Sequence, residues 1–497
     1  MLKIFNTASR KIENFKPISD VVKIYTCGPT VYSEAHIGNL TAYIYWDLLV
    51  RCLHANNYKV KRVLNLTDVG HLVSDADEGQ DKLEKGAERE GKTVWEVAEV
   101  YIDKFKKDYK ILELVEPDVW ARATDYIDED IEAVDLMTKN GFTYETKDGV
   151  YFDTSKYEEY ANFAKLDLEG LQAGARVGFS DEKKNVSDFA VWKFIKPGEK
   201  HAMRWDYLGR PGYPGWHLEC ATIIHKELDE PIDIHTGGID HIPIHHTNEI
   251  AECYAAYGHD LSKYWMHCNF ITIDGEKISK SLGNVYSLSD LANRGFSALD
   301  YKMWVLSGHY QRTRNFTFES LEAARNRRLN WRNRIALLYQ SGRGLTELSF
   351  SGQGDSSSTS YAGNPGKSAL RAASSVASGI YVSERASLDM PREKKRSATR
   401  PILDAVNNNL NSAEAFAIID NSELSFDDWK EVDELFGLRL IEDSPKISEE
   451  YYALVLEREE ARKKKNFACA DEIRNKLEKA GITVKDTADG PVWQYLV

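Results

Sequence analysis

The chain has 497 residues, 42% of them hydrophobic, which is enough for about three domains with cores of their own. Its 78 acidic and 64 basic residues give a net charge of −14, which argues against a protein whose whole surface binds nucleic acid but allows local basic patches. No apolar run approaches the ~20 residues that span a bilayer, and the first residues lack the apolar segment of a signal peptide, so we expect a cytoplasmic protein with no membrane partner.

The first 75 residues predict a βαβ unit. Residues 22–27 are β-prone and end at the turn Gly28-Pro29, a helical pattern runs from His36 to Leu53, and Val60–Asn65 predicts the next strand. The first turn of such a unit is where nucleotides bind.

The segment from Pro29 to Asn39, PTVYSEAHIGN, occupies that turn. Its helix N-terminus and His36 suit phosphate binding, and Gly38 suits a close approach of adenine to the backbone. An ordinary helix N-terminus is the alternative interpretation of this motif taken alone.

From Asp75 to about Glu199 the pattern changes. Val94–Leu114 is charged and helical, and Val150–Asp153 and Ala190–Phe194 predict short strands. We interpret this stretch as an insertion that separates two halves of one domain.

The segment Gly215–Glu249 contains candidate metal ligands. It includes a predicted strand, Ile232–His235, and the start of a predicted helix, Pro243–Gly258. Cys220, His245 and Glu249 are plausible zinc ligands, because His245 and Glu249 are four residues apart and share one helix face.

Cys27 is the candidate for a fourth ligand, and His246 ranks lower because it points away from the His245 face. The six cysteines are sparse and do not form a disulfide pattern, so buried free thiols remain the alternative for Cys27 and Cys220. A helical ion pair is the alternative for His245 and Glu249.

A predicted strand at Cys268–Ile273 leads into a basic loop from Lys277 to Ser281, KISKS. Two lysines on a loop after a strand can bind a triphosphate and offset the charge of leaving pyrophosphate. A solvated basic loop is the alternative.

After Asp300 the chain is mostly helical. Phe318–Gln340 is a predicted helix with a basic face, and its five arginines are candidate phosphate contacts or simply solvated charges. Residues 342–378 are rich in Ser and Gly and predict a flexible insertion. Further predicted elements are helical Ile402–Ile419, a charged helical pair at Ser448–Ala480, and strands at Ile482–Val484 and Val492–Tyr495.

The order of these motifs resembles that of the cysteinyl-tRNA synthetases, a family of class I aminoacyl-tRNA synthetases. The resemblance is carried by TCGPTVYSEAHIGN, NLTDV, GWHLEC, DIHTGGID, HHTNEIAE, KISKSLGN and ARKKKNFACADEIRNKLEKAGI.

The resemblance implies an α/β fold, with a Rossmann-like parallel-sheet catalytic domain at 1–75 and 200–300 that is split by a connective insertion at 76–199. A mostly α-helical region that binds the anticodon stem and anticodon is implied at 301–445, with a flexible insertion near 342–396. A small C-terminal α+β unit that binds tRNA is implied at 446–497.

The resemblance also implies the roles of individual residues. Cys27, Cys220, His245 and Glu249 would bind one zinc ion per chain, and Thr67, Trp216 and His235 would surround the amino acid, with His235 near its polar end. Asp240 would hold the amino group or cap the next helix, and we expect the cap. The residues implied in binding ATP with Mg²⁺ are His36, Gly38, Asn39, Lys277 and Lys280.

The implied reaction is ATP-dependent activation of L-cysteine to cysteinyl-adenylate, with transfer to the 3′-terminal ribose of tRNA(Cys). Zinc–thiolate bonding would select cysteine over serine. We expect a monomer.

Two alternatives remain. One is a cysteine–amino-sugar ligase built on the same catalytic fold, although it would lack a full anticodon-binding domain and the C-terminal basic unit. The other is a catalytically dead synthetase-like binding protein, which is favoured only by Asn39 in the place of the last histidine of the family's HIGH motif.

Overall fold

Five parallel strands form the sheet on which the N-terminal half of the chain is built. The computed structural model describes residues 1–69, 82–166, 182–196, 198, 201–340, 398–487 and 490–495. In spatial order the strands are Ser262–Cys268, Ile232–Gly238, Val21–Thr26, Lys59–Leu66 and Val119–Arg122, and each neighbouring pair is parallel.

The order of these strands reverses between Val21–Thr26 and Ile232–Gly238. The chain first adds Lys59–Leu66 and Val119–Arg122 on one side of Val21–Thr26. It later adds Ile232–Gly238 and Ser262–Cys268 on the other side. Ligands of Rossmann-like sheets bind at such a switch point, beyond the carboxyl ends of the strands. The predicted Rossmann-like parallel sheet is therefore confirmed.

Two predictions about this sheet were wrong in detail. Val119–Arg122 lies inside the predicted insertion but pairs with Lys59–Leu66 as the fifth strand. The predicted strand Cys268–Ile273 is the junction of two strands, Ser262–Cys268 and Ile271–Ile273. Strands buried on both faces lack the alternation of polar and apolar residues that marks a strand in a sequence.

In the part of this half that the structure describes, six longer helices accompany the strands. The helices are Ile37–Ala55, Lys82–Glu90, Val94–Ile111, Ile127–Lys139, Leu218–Leu228 and His245–Tyr257. Ile37–Ala55 is buried along much of its length, because it packs between the sheet and the helices that follow residue 298.

The insertion forms an antiparallel sheet of its own. Its strands in spatial order are Thr143–Glu145, Gly149–Phe152, Phe189–Phe194, Arg210–Pro214 and Trp205–Tyr207. The last two strands follow residue 200, so this sheet extends past the predicted boundary at 199. The hairpin of Trp205–Tyr207 and Arg210–Pro214 is too short to show an alternating pattern of polar and apolar residues in the sequence.

The remaining small sheets frame the domain. Lys3–Asn6 pairs with Lys11–Asn14 at the N-terminus. Near the basic loop, Ile271–Ile273 pairs antiparallel with Glu276–Lys277 and parallel with Arg314–Phe316.

The second half is helical, as predicted. Its helices are Leu288–Asn293, Ala298–Leu306, Phe318–Gln340, Arg400–Asn407, Ser412–Asp420, Phe426–Phe436, Glu449–Lys463 and Phe467–Lys479. A final hairpin pairs Ile482–Thr487 with Gly490–Tyr495. Within the described ranges, no helix is long and apolar enough to cross a bilayer.

The predicted helical stretch Ile402–Ile419 is two helices rather than one. Asn409 and Leu410 have φ values of 60° and 55°, which end the first helix, and the Asn411 side chain caps the second. The predicted insertion near 342–396 lies outside the described residues.

Three arginines of the basic helix hold the helical region together, which was not the expected role. Arg328 is buried and donates to Leu438 O at 3.1 Å, Arg334 donates to Ile419 O at 2.9 Å, and Arg332 donates to Asp443 O. These bonds use donors of all three guanidinium groups inside the protein, and a contact of these arginines with phosphate stays a prediction.

A buried ion pair joins the helix Ile37–Ala55 to the helical region. Lys302 Nζ lies 2.8 Å from Asp47 Oδ2, and both side chains are fully buried. Arg51 binds the same oxygen at 2.8 Å and donates to the carbonyl of Glu434. The helix that begins at His36 is thus fixed to the helices that follow it.

We expect Lys302→Ala to lower the free energy of unfolding by about 3 kcal/mol, because it leaves a buried carboxylate with one charged partner fewer. The control is Arg439→Ala, which removes an ion pair to Glu113 with side chains 46% and 38% exposed. Arg439→Ala should lower the free energy of unfolding by less than ~1 kcal/mol. Urea titrations followed by tryptophan fluorescence measure both, and equal losses would contradict this role of Lys302.

Candidate active site and metal centre

A cavity of about 1040 Å³ opens at the switch point of the parallel sheet. Nine of the twelve residues predicted for the site line it, namely Cys27, His36, Gly38, Asn39, Thr67, Trp216, His245, Lys277 and Lys280. Cys220, His235 and Glu249 are buried next to the cavity rather than lining it. The fold therefore brings together residues from both sides of the insertion.

Four of the predicted residues form a cluster of metal-binding atoms. Cys27, Cys220, His245 and Glu249 are buried and offer ligand atoms that all lie within 4.8 Å of one another. His245 Nε2 lies 3.5 Å from Cys220 Sγ and 2.9 Å from Glu249 Oε1. The i, i+4 spacing on the helix His245–Tyr257 places the side chains of His245 and Glu249 side by side.

A second ring of histidines surrounds this cluster. His235 Nε2 lies 2.6 Å from Glu249 Oε2, and His246 Nε2 lies 3.2 Å from Cys27 Sγ. His246 Nδ1 in turn contacts His267 Nε2 at 2.8 Å. Cys27, Glu249, His235 and His246 also satisfy the distance limit for a metal group.

The first group suits a soft metal better than the second. It contains two thiols and one imidazole, whereas in the second group His235 and His246 are already hydrogen-bonded to Glu249 and Cys27. His235 holds Oε2 of Glu249, while Oε1 lies 2.9 Å from His245 Nε2 without a hydrogen bond of good geometry from any described residue. That buried oxygen and the S, S, N donor set fit zinc.

His235 lies behind Glu249: it is fully buried, stacks on Trp265 and orients Glu249. Its place near the polar end of the amino acid stays a prediction. His267, which supports His246, was missed because its strand was not predicted. Residues in this position orient metal ligands, as is common around zinc sites.

The charges inside the cluster are strongly coupled. Burial acts to raise the pKa of Glu249, but the imidazoles of His235 and His245 hold it at about 2. Burial acts to lower the pKa of His245, but the Glu249 carboxylate raises it well above its usual value. The core of the site therefore contains an ionised carboxylate.

The pKa values of the two thiols shift in opposite directions. Burial raises the pKa of Cys220 well above its usual value. Burial acts on Cys27 too, but the hydrogen bond with Cys220 and the charge of His246 lower the pKa of Cys27 well below its usual value. Cys27 is therefore the more acidic thiol of the pair.

At the other end of the cavity, His36 caps the helix Ile37–Ala55. Its Nδ1 accepts from Asn39 N at 3.2 Å, and Asn39 Oδ1 accepts from His36 N at 3.2 Å. This reciprocal pair is a capping box, and it leaves the ring proton on Nε2. Burial and the nearby Lys280 lower the pKa of His36, so the ring is a neutral donor at pH 7.

The basic loop lies against this helix N-terminus. A Cβ on Gly38 would lie 2.6 Å from Ile278 Cδ1, so the two motifs touch at this point, and any larger residue would require the Ile278 side chain to move. Asn284, which was not predicted as a site residue, accepts from Ser279 N at 2.8 Å and donates to Lys277 O at 3.0 Å. These bonds shape the loop that carries both lysines.

The cavity wall near the metal cluster is aromatic. The Trp216 ring lies 4.5 Å from the His245 ring, centre to centre. Thr67 Oγ1 donates to Glu219 Oε2 at 3.1 Å. Asp240 lines the cavity, and the next helix has no side-chain cap, so the expected capping role of Asp240 was wrong.

The chain is similar to known proteins along nearly its whole length. Residues 14–326 match the family model described as the class I (C) tRNA synthetase catalytic domain, and residues 444–493 match that of the cysteinyl-tRNA ligase anticodon binding domain. The chain is 40% identical to cysteine–tRNA ligase 1 of Burkholderia lata, covering 98% of this chain and 96% of that protein. It is 38% identical to the cysteine–tRNA ligase of Treponema denticola, covering 100% of both.

Solved structures share the fold at low identity. A methionyl-tRNA synthetase of Mycobacterium tuberculosis in complex with methionyl-adenylate aligns with a TM-score of 0.55 at 15% identity, covering 85% of this chain and 89% of that one. This likeness concerns the fold alone.

We expect the pKa of His36 to lie below 6.5 and to rise in Lys280→Met, because the variant removes a positive charge that disfavours the imidazolium. NMR titration of ¹³C-labelled histidines measures it, with His36→Gln to assign the signal. Lys277→Met is the control and should shift the pKa of His36 less. An equal shift in both variants would contradict the pairing of His36 with Lys280.

Proposed function

The chain belongs to the cysteinyl-tRNA synthetases of class I, and from that premise we propose that it selects cysteine by binding the substrate thiol at a zinc ion held by Cys27, Cys220, His245 and Glu249. It is an ATP-dependent enzyme, a cysteine–tRNA ligase, with tRNA, an amino acid and ATP as substrates. One observation carries the proposal: the four donors converge beside the cavity that His36 and Lys280 also line.

Bound zinc would supply a Lewis acid that lowers the pKa of the substrate thiol and accepts it as a thiolate. A serine hydroxyl is harder and far less acidic, so it gains no comparable bond. A pocket that relies on such a bond rejects the analogue without it by about 10⁴-fold.

The residues around the cluster would position the amino acid. Trp216 packs on His245 and lines the cavity, so it would limit the side chain to a small one. Thr67 lies on the same wall, and Asp240 offers a carboxylate for the α-amino group. His235 would act indirectly, by fixing the oxygen of Glu249 that does not face the ion.

At the opposite end, the chain's donors would bind ATP. Neutral His36 presents Nε2–H, and Lys277 and Lys280 bring two ammonium groups to the same cavity. Mg²⁺ would accompany the phosphates. Asn39 keeps the cap that orients His36, so its presence in place of a histidine is compatible with an active site.

In the reaction, the cysteine carboxylate attacks the α-phosphate, and pyrophosphate leaves toward the lysines. The 2′-hydroxyl of the terminal ribose then takes the cysteinyl group from the adenylate. The protein contributes mainly orientation and charge stabilisation, since no described side chain needs to form a covalent intermediate.

The regions after residue 300 would bind tRNA(Cys). The helical region 301–445 would contact the anticodon stem. The unit at 446–497 overlaps the segment 444–493, which matches an anticodon binding domain. An amino-sugar ligase has no use for these regions, so the similarity over the full length favours the tRNA substrate.

We expect cysteine-dependent exchange of pyrophosphate into ATP, with serine supporting it at least about 10⁴-fold less well. Charging of tRNA(Cys) with radiolabelled cysteine follows in the same preparation. No exchange with either amino acid would contradict the proposal. Exchange without charging would indicate the amino-sugar ligase instead.

We expect Cys220→Ala to lose zinc from the site and to lower kcat/KM for cysteine by at least ~100-fold, because even changes to residues behind metal ligands cost 10–100-fold. Metal analysis and exchange kinetics measure the two effects. Cys469→Ala, which changes a free thiol in the C-terminal unit, is the matched control and should retain both. Unchanged zinc in Cys220→Ala would refute this ligand assignment.

A further inference from the structure

A second cluster of metal-binding side chains lies away from the cavity. Glu230, Cys253 and His259 offer ligand atoms that all lie within 4.8 Å of one another. Glu230 precedes the strand Ile232–Gly238, so the cluster is at the end of that strand opposite the cavity. Cys253 and His259 belong to the last turns of the helix His245–Tyr257 and the loop after it.

The distances suit one small ion. Cys253 Sγ lies 3.8 Å from Glu230 Oε1 and 3.9 Å from His259 Nδ1. The other ring nitrogen, His259 Nε2, lies 3.9 Å from Glu230 Oε1, and one of the two nitrogens would bind the ion. Donors at the corners of a tetrahedral zinc site are roughly 3.3–3.8 Å apart, given metal–ligand bonds of ~2.0–2.3 Å. Small side-chain rotations would close the remaining gap.

The buried carboxylate is the second observation that indicates a cation. The side chain of Glu230 is fully buried, and its Oε2 accepts no hydrogen bond from any residue in the described ranges. Its Oε1 is held by His225 Nδ1 at 3.0 Å. A buried carboxylate oxygen without a partner is costly unless a proton or a cation satisfies it.

The thiol points to the same conclusion. Cys253 is fully buried, and its Sγ lies 3.5 Å from the carbonyl of His259. The S, N, O donor set favours zinc over magnesium or calcium.

We propose that Glu230, Cys253 and His259 form a second, structural zinc site, with His225 orienting Glu230. The His259 side chain is 38% exposed, so the ion has a route from solvent and the fourth position can be filled by water. The site stands independently of the proposed selection of cysteine.

The position of the site suggests what the metal does. His225 is in the last turn of the helix that carries Cys220, and Cys253 is one turn after Glu249 on the same helix. A bound ion would therefore tie together the far ends of the two helices that present three ligands to the cavity. We expect it to stabilise this arrangement rather than take part in the reaction.

The test counts metal in the full-length protein. After dialysis against a mild chelator and readdition of Zn²⁺, the chain should hold two zinc ions, and Cys253→Ala and His259→Ala should each hold one. The Co²⁺-loaded protein should lose part of its thiolate-to-metal absorption in Cys253→Ala. Cys469→Ala and His54→Ala, which change a thiol and an exposed imidazole elsewhere, should keep two ions.

Paired variants separate this site from the one at the cavity. Cys220→Ala should retain one ion, and Cys220→Ala with Cys253→Ala should retain none. Cys253→Ala should keep cysteine-dependent exchange within about threefold of the parent but unfold at a lower temperature when zinc is present. A parent chain with one ion, and the same metal content in Cys253→Ala and His259→Ala, would overturn the proposal.

Discussion

The parallel pairing of Val21–Thr26 with Ile232–Gly238 is the contact on which the site depends. Its register sets Thr26 opposite Thr236, and Cys27 N then donates to Thr236 O at 3.1 Å. This places Cys27 beside the helix that carries His245 and Glu249. A shift of one residue would turn the thiol to the other face of the sheet, so the metal cluster exists only in this register.

Close packing at the switch point supports that register. A Cβ on Gly28 would lie 1.6 Å from the carbonyl oxygen of Asn65, so the chain can leave the strand here only with glycine. Asn65 Oδ1 in turn accepts from Gly28 N at 2.6 Å. The turn after the first strand is thereby fixed between the candidate metal ligands on one side and the helix Ile37–Ala55 on the other.

Buried charge then connects the site to the rest of the chain. In the cluster, Glu249 is held by two histidines, and His246 and His267 extend the network to Thr7. In the helix that begins at His36, Asp47 is held by Arg51 and Lys302. Both networks keep polar groups paired inside an apolar core, and both join segments that are far apart in the sequence.

The sequence by itself determined the local chemistry. The helix Phe318–Gln340 was predicted with its first residue correct, and the spacing of His245 and Glu249 was sufficient to place them on one face. The motifs at His36 and Lys277–Ser281 likewise consist of neighbouring residues, whose relation follows from helix and turn geometry.

Only the tertiary structure decided which distant groups meet. In the structure Cys27 lies beside Cys220, and His235 lies behind Glu249. Val119–Arg122 is a strand of the parallel sheet. Arg328, Arg332 and Arg334 bind groups within the helical region. Periodicity shows that a side chain faces inward, but its partner depends on strand register and on the packing of elements separated by the insertion. Those contacts are long-range, and no local pattern of residues records them.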